Sequence, residues 1–390
     1  MPKYMYTAVA LLVLLLVPVF VLFPSRSAEP DAPTTWDVVG EDWMVGMDTP
    51  FWDSLLSGSF SQTIEGYVQK NFPLRDRLRG IGINIRYWGG SREQNGVLIG
   101  QNQLIKNIDP PTDGIVEKNI DAVARFAEYL RDVNKPFYFT LIPTAGGILH
   151  HQLPRNVQVF DQRHFIEDMY GQLTGKANVV NTYLPLNTNR TQYIFYRTEN
   201  NLTAHGGYYV YEALVKRMGI SEKPSYNSFN IDYASHTFVG DLYSSSPYGN
   251  VQPDVLMLLR YSRHVRSYVV THKGPEGEKI YQTLYPAPAE GKKPDMNLFL
   301  GGTSAVMDIE TDAPIARQLL VFGDKTALAY LPLLANHYCR ITFVDLFYDT
   351  TAYSDIDPEE YDQILMAYSV ESFSSPLSMP ARITQFIMTP

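Results

Sequence analysis

The chain has 390 residues with 45% apolar content, enough to bury a sizeable core, so one large domain with an N-terminal appendage is the expected organisation. A formal net charge of −9, with no basic patch and only short pairs such as Lys292-Lys293, argues against nucleic acid or an anionic membrane surface as the main partner. The single cysteine, Cys339, excludes an internal disulfide and sits in the apolar run Tyr338–Leu346, where it reads as core filler.

Residues 7–23 (TAVALLVLLLVPVFVLF) are uncharged and apolar, preceded only by Lys3. A helix from about Tyr4 to Phe23 would be roughly 30 Å long at about 1.5 Å per residue, the thickness of a hydrocarbon core. Ser25-Arg26-Ser27-Ala28 is a poor cleavage site, so residues 1–25 are read as a signal anchor rather than a removed leader. Either reading carries the rest of the chain out of the cytoplasm, to the outer side of a cell membrane. Residues 26–48, rich in Pro, Ala, Asp and Thr without apolar periodicity, read as a tether.

The remaining chain, 49–390, reads as one extracytoplasmic domain. From Thr49 the apolar residues recur at helical spacing, and after Phe72-Pro73 a second helix carries Arg75, Arg77 and Arg79. Val97-Leu98-Ile99, between glycines, is a short buried strand. An α/β alternation follows: helix Gly114–Val133, strand Phe137–Ile142, helix Gln162–Leu173, strand Asn178–Tyr183 and helix Ala204–Met218. Residues 225–300 are strand-rich and irregular. Then come a buried strand Gln318–Phe322, a Gly323-Asp324 turn, a helix Lys325–Tyr338 and a parallel strand Ile341–Leu346. Such alternation predicts a doubly wound sheet with its site at the carboxyl ends of the strands.

The strand–Gly-Asp–X–helix turn puts residue X, here Lys325, at a helix N-terminus above the sheet, where a serine oxygen would face free backbone N–H groups. Around this turn the chain resembles the DHHW family, exported relatives of the alginate O-acetylation proteins AlgX and AlgJ with an SGNH-hydrolase-like α/β fold. The blocks that carry the resemblance occur in order: Asn71-Phe72-Pro73-Leu74-Arg75-Asp76, Tyr196 to Thr203, Gly206 with Tyr208 to Tyr211, Phe299-Leu300-Gly301-Gly302-Thr303, Leu319–Thr326 with His337-Tyr338, and Tyr368 to Phe373. Together they cover roughly residues 55–375.

Carried over position by position, the family's triad aspartate falls on Glu199, its histidine on Asn201 and its serine on Lys325, while its oxyanion-hole asparagine falls on Thr303. Asn200 and Leu202 replace the other histidine and the tryptophan of the name-giving motif. Asn201 cannot act as a base, and loss of either Ser or His from a triad hydrolase typically removes about a millionfold in rate. The resemblance therefore implies an inactive accessory that binds glycan, scaffolds or regulates beside a membrane-bound O-acyltransferase acting on a polysaccharide. The alternative is an active O-acetyltransferase or esterase that uses Thr326 with His205 or Lys325 as nucleophile and base. Lys325, Thr326, Glu199, Asn201, His205 and Gly302 are the candidate ligand-binding residues. Lys325 and Thr326 form an anion spot at a helix start, or Lys325 instead pairs with Glu199.

No cofactor or metal is expected. His150-His151 lacks a third ligand nearby in sequence, and His164 with Glu167 and Asp168 fits surface hydrogen bonding on a helix. The acidic stretch Asp355 to Asp362 lacks the glycine and spacing of a calcium loop and reads as a solvated helix start. Gly323-Asp324-Lys325-Thr326 lacks the loop length of a P-loop, so nucleotide binding is unsupported.

Overall fold

A computed structural model describes residues 75–388 apart from 113, 156, 263–265, 275–276, 349–352, 354 and 376–378. The expected anchor (1–25), the tether (26–48) and the helix beginning at Thr49 lie outside the described residues. Among the described residues, no helix is long and apolar enough to cross a membrane. The chain divides into two units, residues 1–86 and 87–390. Helix α1 (Arg75–Trp88) is the helix expected to carry Arg75, Arg77 and Arg79.

The second unit opens with a small antiparallel sheet of β1 (Glu93–Gln94), β2 (Val97–Ile99) and β3 (Leu104–Lys106). Asn95 and Gly96 both take positive φ (52° and 71°), the backbone that a two-residue hairpin loop requires. In chain order there follow α2 (Ile115–Asp132), β4 (Phe137–Ile142), α3 (Gln162–Gln172), β5 (Asn178–Val179) and α4 (Ala204–Arg217). Next, β6 (Phe229–Phe238) and β7 (Asp254–Tyr261) pair as an antiparallel ribbon. The last elements are β8 (Tyr268–Gly274), β9 (Gly277–Tyr281), β10 (Val306–Thr311), β11 (Gln318–Gly323), β12 (Arg340–Val344), β13 (Gln363–Ser369) and α5 (Met379–Met388).

An eight-stranded sheet in the order β5-β4-β13-β11-β12-β10-β8-β9 forms the centre of a mixed α/β fold. From β5 to β12 the neighbours run parallel; β10, β8 and β9 join antiparallel. Because side chains alternate across a strand, the two faces of β11 enter different cores. Leu319 and Val321 pack with Val210, Tyr211 and Leu214 of α4. Leu320 and Phe322 pack with Phe126 of α2 and Phe386 of α5, the Phe322 ring lying 5.6 and 4.9 Å from those two. A strand covered on both faces reads as an unbroken apolar run, and each large buried side chain contributes roughly 1.5–3 kcal/mol.

The strand-rich, irregular middle supplies β8 and β9, which lie antiparallel at one edge of the sheet. Three sequence expectations need correction. The expected helix Lys325–Tyr338 is two short turns, Lys325–Ala329 and Leu331–Leu334, since Pro332 lacks the N–H a continuing helix would need. The strand expected to reach Tyr183 ends at Val179, because Thr182 turns its hydroxyl onto the Leu141 carbonyl (3.0 Å) and Tyr183 starts a short helix. The acidic stretch 355–362 makes only a 3-10 turn, Pro358–Glu360, capped by Asp357. Cys339 is half-buried, its thiol donating to the Arg317 carbonyl at 3.3 Å.

Candidate functional site

The site lies at the carboxyl ends of β4, β13 and β11, where the chain leaves the sheet at Pro143, Ser369 and Asp324. Asp324 is the organiser. Its Oδ1 accepts from the Thr326 amide (2.9 Å) and hydroxyl (2.5 Å), and its Oδ2 accepts from the Ser369 amide (2.8 Å) and hydroxyl (2.7 Å). This ties the end of β11 to the end of β13 and aims Lys325 into the cleft.

Facing Lys325 is a hairpin of residues 195–202, closed by a bridge between Phe195 and Leu202. Its shape is set by Asp254, fully buried at the start of β7. Asp254 accepts from the Tyr193 hydroxyl (2.5 Å), the Arg197 amide (2.7 Å), the Thr198 amide (2.7 Å) and the Thr198 hydroxyl. Thr203 then caps α4 by accepting from the Gly206 amide at 3.2 Å. Gly207 lets α4 approach the Lys325–Ala329 turn, since a Cβ there would lie 2.0 Å from the Ala329 carbonyl oxygen. That close approach holds the hairpin and the Lys325 turn against each other.

The ammonium of Lys325 donates to Glu199 Oε1 at 2.6 Å and to Asp241 Oδ2 at 3.0 Å. Glu199 is buried, its side chain 2% exposed, and its other oxygen accepts from the Asp241 amide at 2.9 Å. Gly240 permits this packing, since a Cβ would come within 2.5 Å of Glu199. Burial opposes the charge on Lys325, but Glu199 and Asp241 outweigh it and hold the amine above the ordinary lysine pKa. Asn201 donates to the Lys325 carbonyl (3.0 Å) and accepts from the Leu202 amide (2.7 Å).

Two adjoining compartments open here. The larger, about 470 Å³, is lined by Glu199, Asn201, Lys325 and Thr326 together with Lys106, Asn200 and Glu371. Asn200 donates to Glu371 at 2.7 Å, and Lys106 pairs with the same carboxylate. The smaller, about 360 Å³, brings Gly302 and Thr303 beside Glu199, Asp241 and Lys325. Leu300, Gly301 and Gly302 all take positive φ (59°, 85° and 96°), so the loop turns sharply as it reaches the site. Thr303 stands 3.4 Å from the Tyr348 hydroxyl.

His205 does not join them. It lines neither compartment and stacks between Tyr209 (5.1 Å) and Tyr226 (4.6 Å), where burial lowers its pKa. Its place on the first turn of α4 directs it away from the hairpin that carries Asn201. The pairing of Thr326 with His205 therefore has no geometric basis. His150 and His151 lie exposed on a short turn, and His164 sits 3.3 Å from Asp168 on the solvent side of α3. Among the described residues, no group of three or more His, Cys, Asp or Glu is placed to hold a metal ion.

Sequence reasoning did not find Asp241, Asp254 or Lys106. Each acts across a long stretch of chain and belongs to no motif. Chemically, the Lys325 amine is a paired cation, and the Thr326 hydroxyl is donated to Asp324. No described histidine lines either compartment.

Fold and site together define a mixed α/β protein with a cleft at the carboxyl ends of its parallel strands, where Lys325 is ion-paired with Glu199 and Asp241. The profile of the DHHW family, described as DHHW protein, matches residues 111–344, and the chain belongs to that family. No curated protein matches it in sequence. Among solved structures it is similar to a DHHW family protein from Eubacterium siraeum: 18% identity, 76% of this chain and 98% of that one covered, TM-score 0.60. It is also similar to Bacillus cereus PatB1 bearing a sulfonyl adduct: 18% identity, 73% and 97% covered, TM-score 0.61. The O-acetyltransferase domain of Pseudomonas putida AlgJ aligns at 13% identity over 75% and 98%, with TM-score 0.46.

Proposed function

We propose that this chain is a catalytically silent DHHW protein that binds a polysaccharide in the cleft around Lys325 and serves as an accessory to its O-acetylation. The observation that carries this reading is the pairing of Lys325 with Glu199 and Asp241, which fills the reacting position with a neutralised cation. An acyl-enzyme needs an oxygen nucleophile paired with a base, but the Thr326 hydroxyl is donated to Asp324 and no described histidine lines the cleft. Its lining suits sugar hydroxyls: Asn95, Asn107, Asn200, Thr144 and Ser372 supply donors and acceptors. Membership of the DHHW family supports the polysaccharide and its acetylation. The apolar segment 7–23 supports a membrane anchor with the domain outside, beside a membrane-bound O-acyltransferase.

The test is acetyl-ester turnover by the full chain, by Thr326→Ala, and by a triple variant restoring the family triad (Glu199→Asp, Asn201→His, Lys325→Ser). The parent and Thr326→Ala should both run at the uncatalysed rate, about a millionfold below an intact triad enzyme. Turnover in the parent that disappears in Thr326→Ala would overturn the reading and establish a rewired active site.

A further inference from the structure

We infer that a lysine-lined cavity beside the cleft is a second subsite, one that takes the anionic group of a polysaccharide whose uncharged part lies over Lys325. This rests on the polysaccharide-binding reading above and adds the charge of the ligand. The cavity, about 480 Å³, is formed by β9 and the loop that follows it. Lys279 and Tyr281 come from β9, and Lys292, Lys293, Asp295 and Asn297 from the loop. In sequence the basic residues are only an isolated pair; the fold adds Lys279 as a third. Lys279 stands 5.0 Å over the Tyr281 ring, and none of the three lysines is ion-paired with any described carboxylate. Three exposed cations without a carboxylate partner share one concavity with a single acid, in a chain whose net charge is −9.

The contrast with the neighbouring compartments gives the inference its direction. Around Lys325, the acids Glu199, Asp241, Asp324 and Glu371 outnumber Lys106 and Lys325, and both of those lysines are already paired. An anion is therefore repelled from the cleft and drawn to the lysine cavity. The two spaces adjoin, since Asp295 and Asn297 line both the lysine cavity and the compartment that contains Lys325. The wall Pro286–Ala289 and the Tyr281 ring offer an apolar face for a sugar ring beside the charge. A small free anion would meet only solvated lysines, whereas a chain of sugars engages both spaces at once.

The test is affinity electrophoresis of the full-length chain in nonionic detergent, through gels containing polygalacturonate or uncharged pullulan. Retardation is read against a glycan-free gel. Polygalacturonate should retard the wild type more than pullulan does, and the effect should fade as salt is raised. The triple variant Lys279→Ala/Lys292→Ala/Lys293→Ala should bind polygalacturonate about tenfold or more weakly, while arginine at all three positions keeps it. These side chains are exposed, so thermal melts of both variants should match the wild type.

Polygalacturonate binding that ignores the alanine substitutions would overturn the subsite and leave the polysaccharide reading intact. Equal retardation by pullulan would do the same. Lysine-dependent capture of inorganic phosphate or of phosphatidylglycerol vesicles, without retention of polygalacturonate, would replace the glycan with another anion and overturn the inference. A wild type retarded by neither glycan would take down the polysaccharide reading itself.

Discussion

Glu199 and Asp254 are both buried carboxylates serving one hairpin, but they are satisfied by different means. Asp254 is surrounded by amide and hydroxyl donors from residues 193–198, with the Arg197 guanidinium only at 4.0 Å. Glu199 takes a single backbone amide and relies on the ammonium of Lys325, reached across 126 residues of chain. The first arrangement shapes the turn and is indifferent to what stands at the end of β11. The second depends wholly on that position. A fold built in this way can change the residue at the end of β11 without disturbing the hairpin that faces it.

The largest effect should come from breaking the indifferent partner. Asp254→Ala strands two backbone amides and two hydroxyls in a dry environment, and should cost about 4 kcal/mol or more of stability in urea denaturation. A loss below about 1 kcal/mol would show that water replaces the carboxylate and that the hairpin does not depend on it. Asp345, at the end of β12, sharpens the contrast because it has neither remedy. It accepts one amide, from Phe347 at 2.9 Å, and burial, helped by Asp324, pushes its carboxyl up to about 7 despite that bond and Arg382.

The sign follows from linkage. The folded state holds this proton more tightly than the unfolded chain, whose carboxyl titrates near 3.8. The stability from this group is thus fully present below that value and is lost as the pH rises through about 7. Asp345→Asn should flatten that loss and gain on the order of 2–3 kcal/mol over the wild type at pH 8. An unchanged slope between the two titration points would place the carboxylate in contact with water.

The parts of the fold legible in the sequence are those with a strong local period. Phe137–Ile142 and Gln318–Phe322 are strands because an apolar run between turn residues leaves little else, and Gly114–Val133 carries one clear apolar face. Val306–Thr311 escaped because its partners lie on β8 and β12 and it carries no turn signal of its own. At the site, Lys325, Glu199 and Asn201 are visible only because they stand at motif positions. Asp241 and Asp254 are single acids in irregular chain whose roles exist only after folding has brought them 42 and 56 residues back to the hairpin. The lysine cavity is hidden for the same reason, since Lys279 meets Lys292 and Lys293 only through the β8–β9 hairpin and its loop.

The Lys325–Glu199 pair is the finest test of the comparison. Removing one partner leaves the other without its charge, but the two are unequal: the lysine side chain is 41% exposed and the glutamate 2%. Lys325→Met therefore strands a buried carboxylate, whereas Glu199→Gln leaves an ammonium that still has Asp241 and water. Lys325→Met should cost about 2 kcal/mol and Glu199→Gln about 1 kcal/mol or less, the partial exposure of the lysine screening the pair. The double variant should recover most of the larger loss, because a neutral pair of similar volume carries no desolvated charge. A complete cycle by urea denaturation measures this directly. Strict additivity would mean that the pair is not coupled and that Glu199 is held by the Asp241 amide alone. Coupling with restored stability would show that the ion pair serves the shape of the cleft rather than the cohesion of the fold.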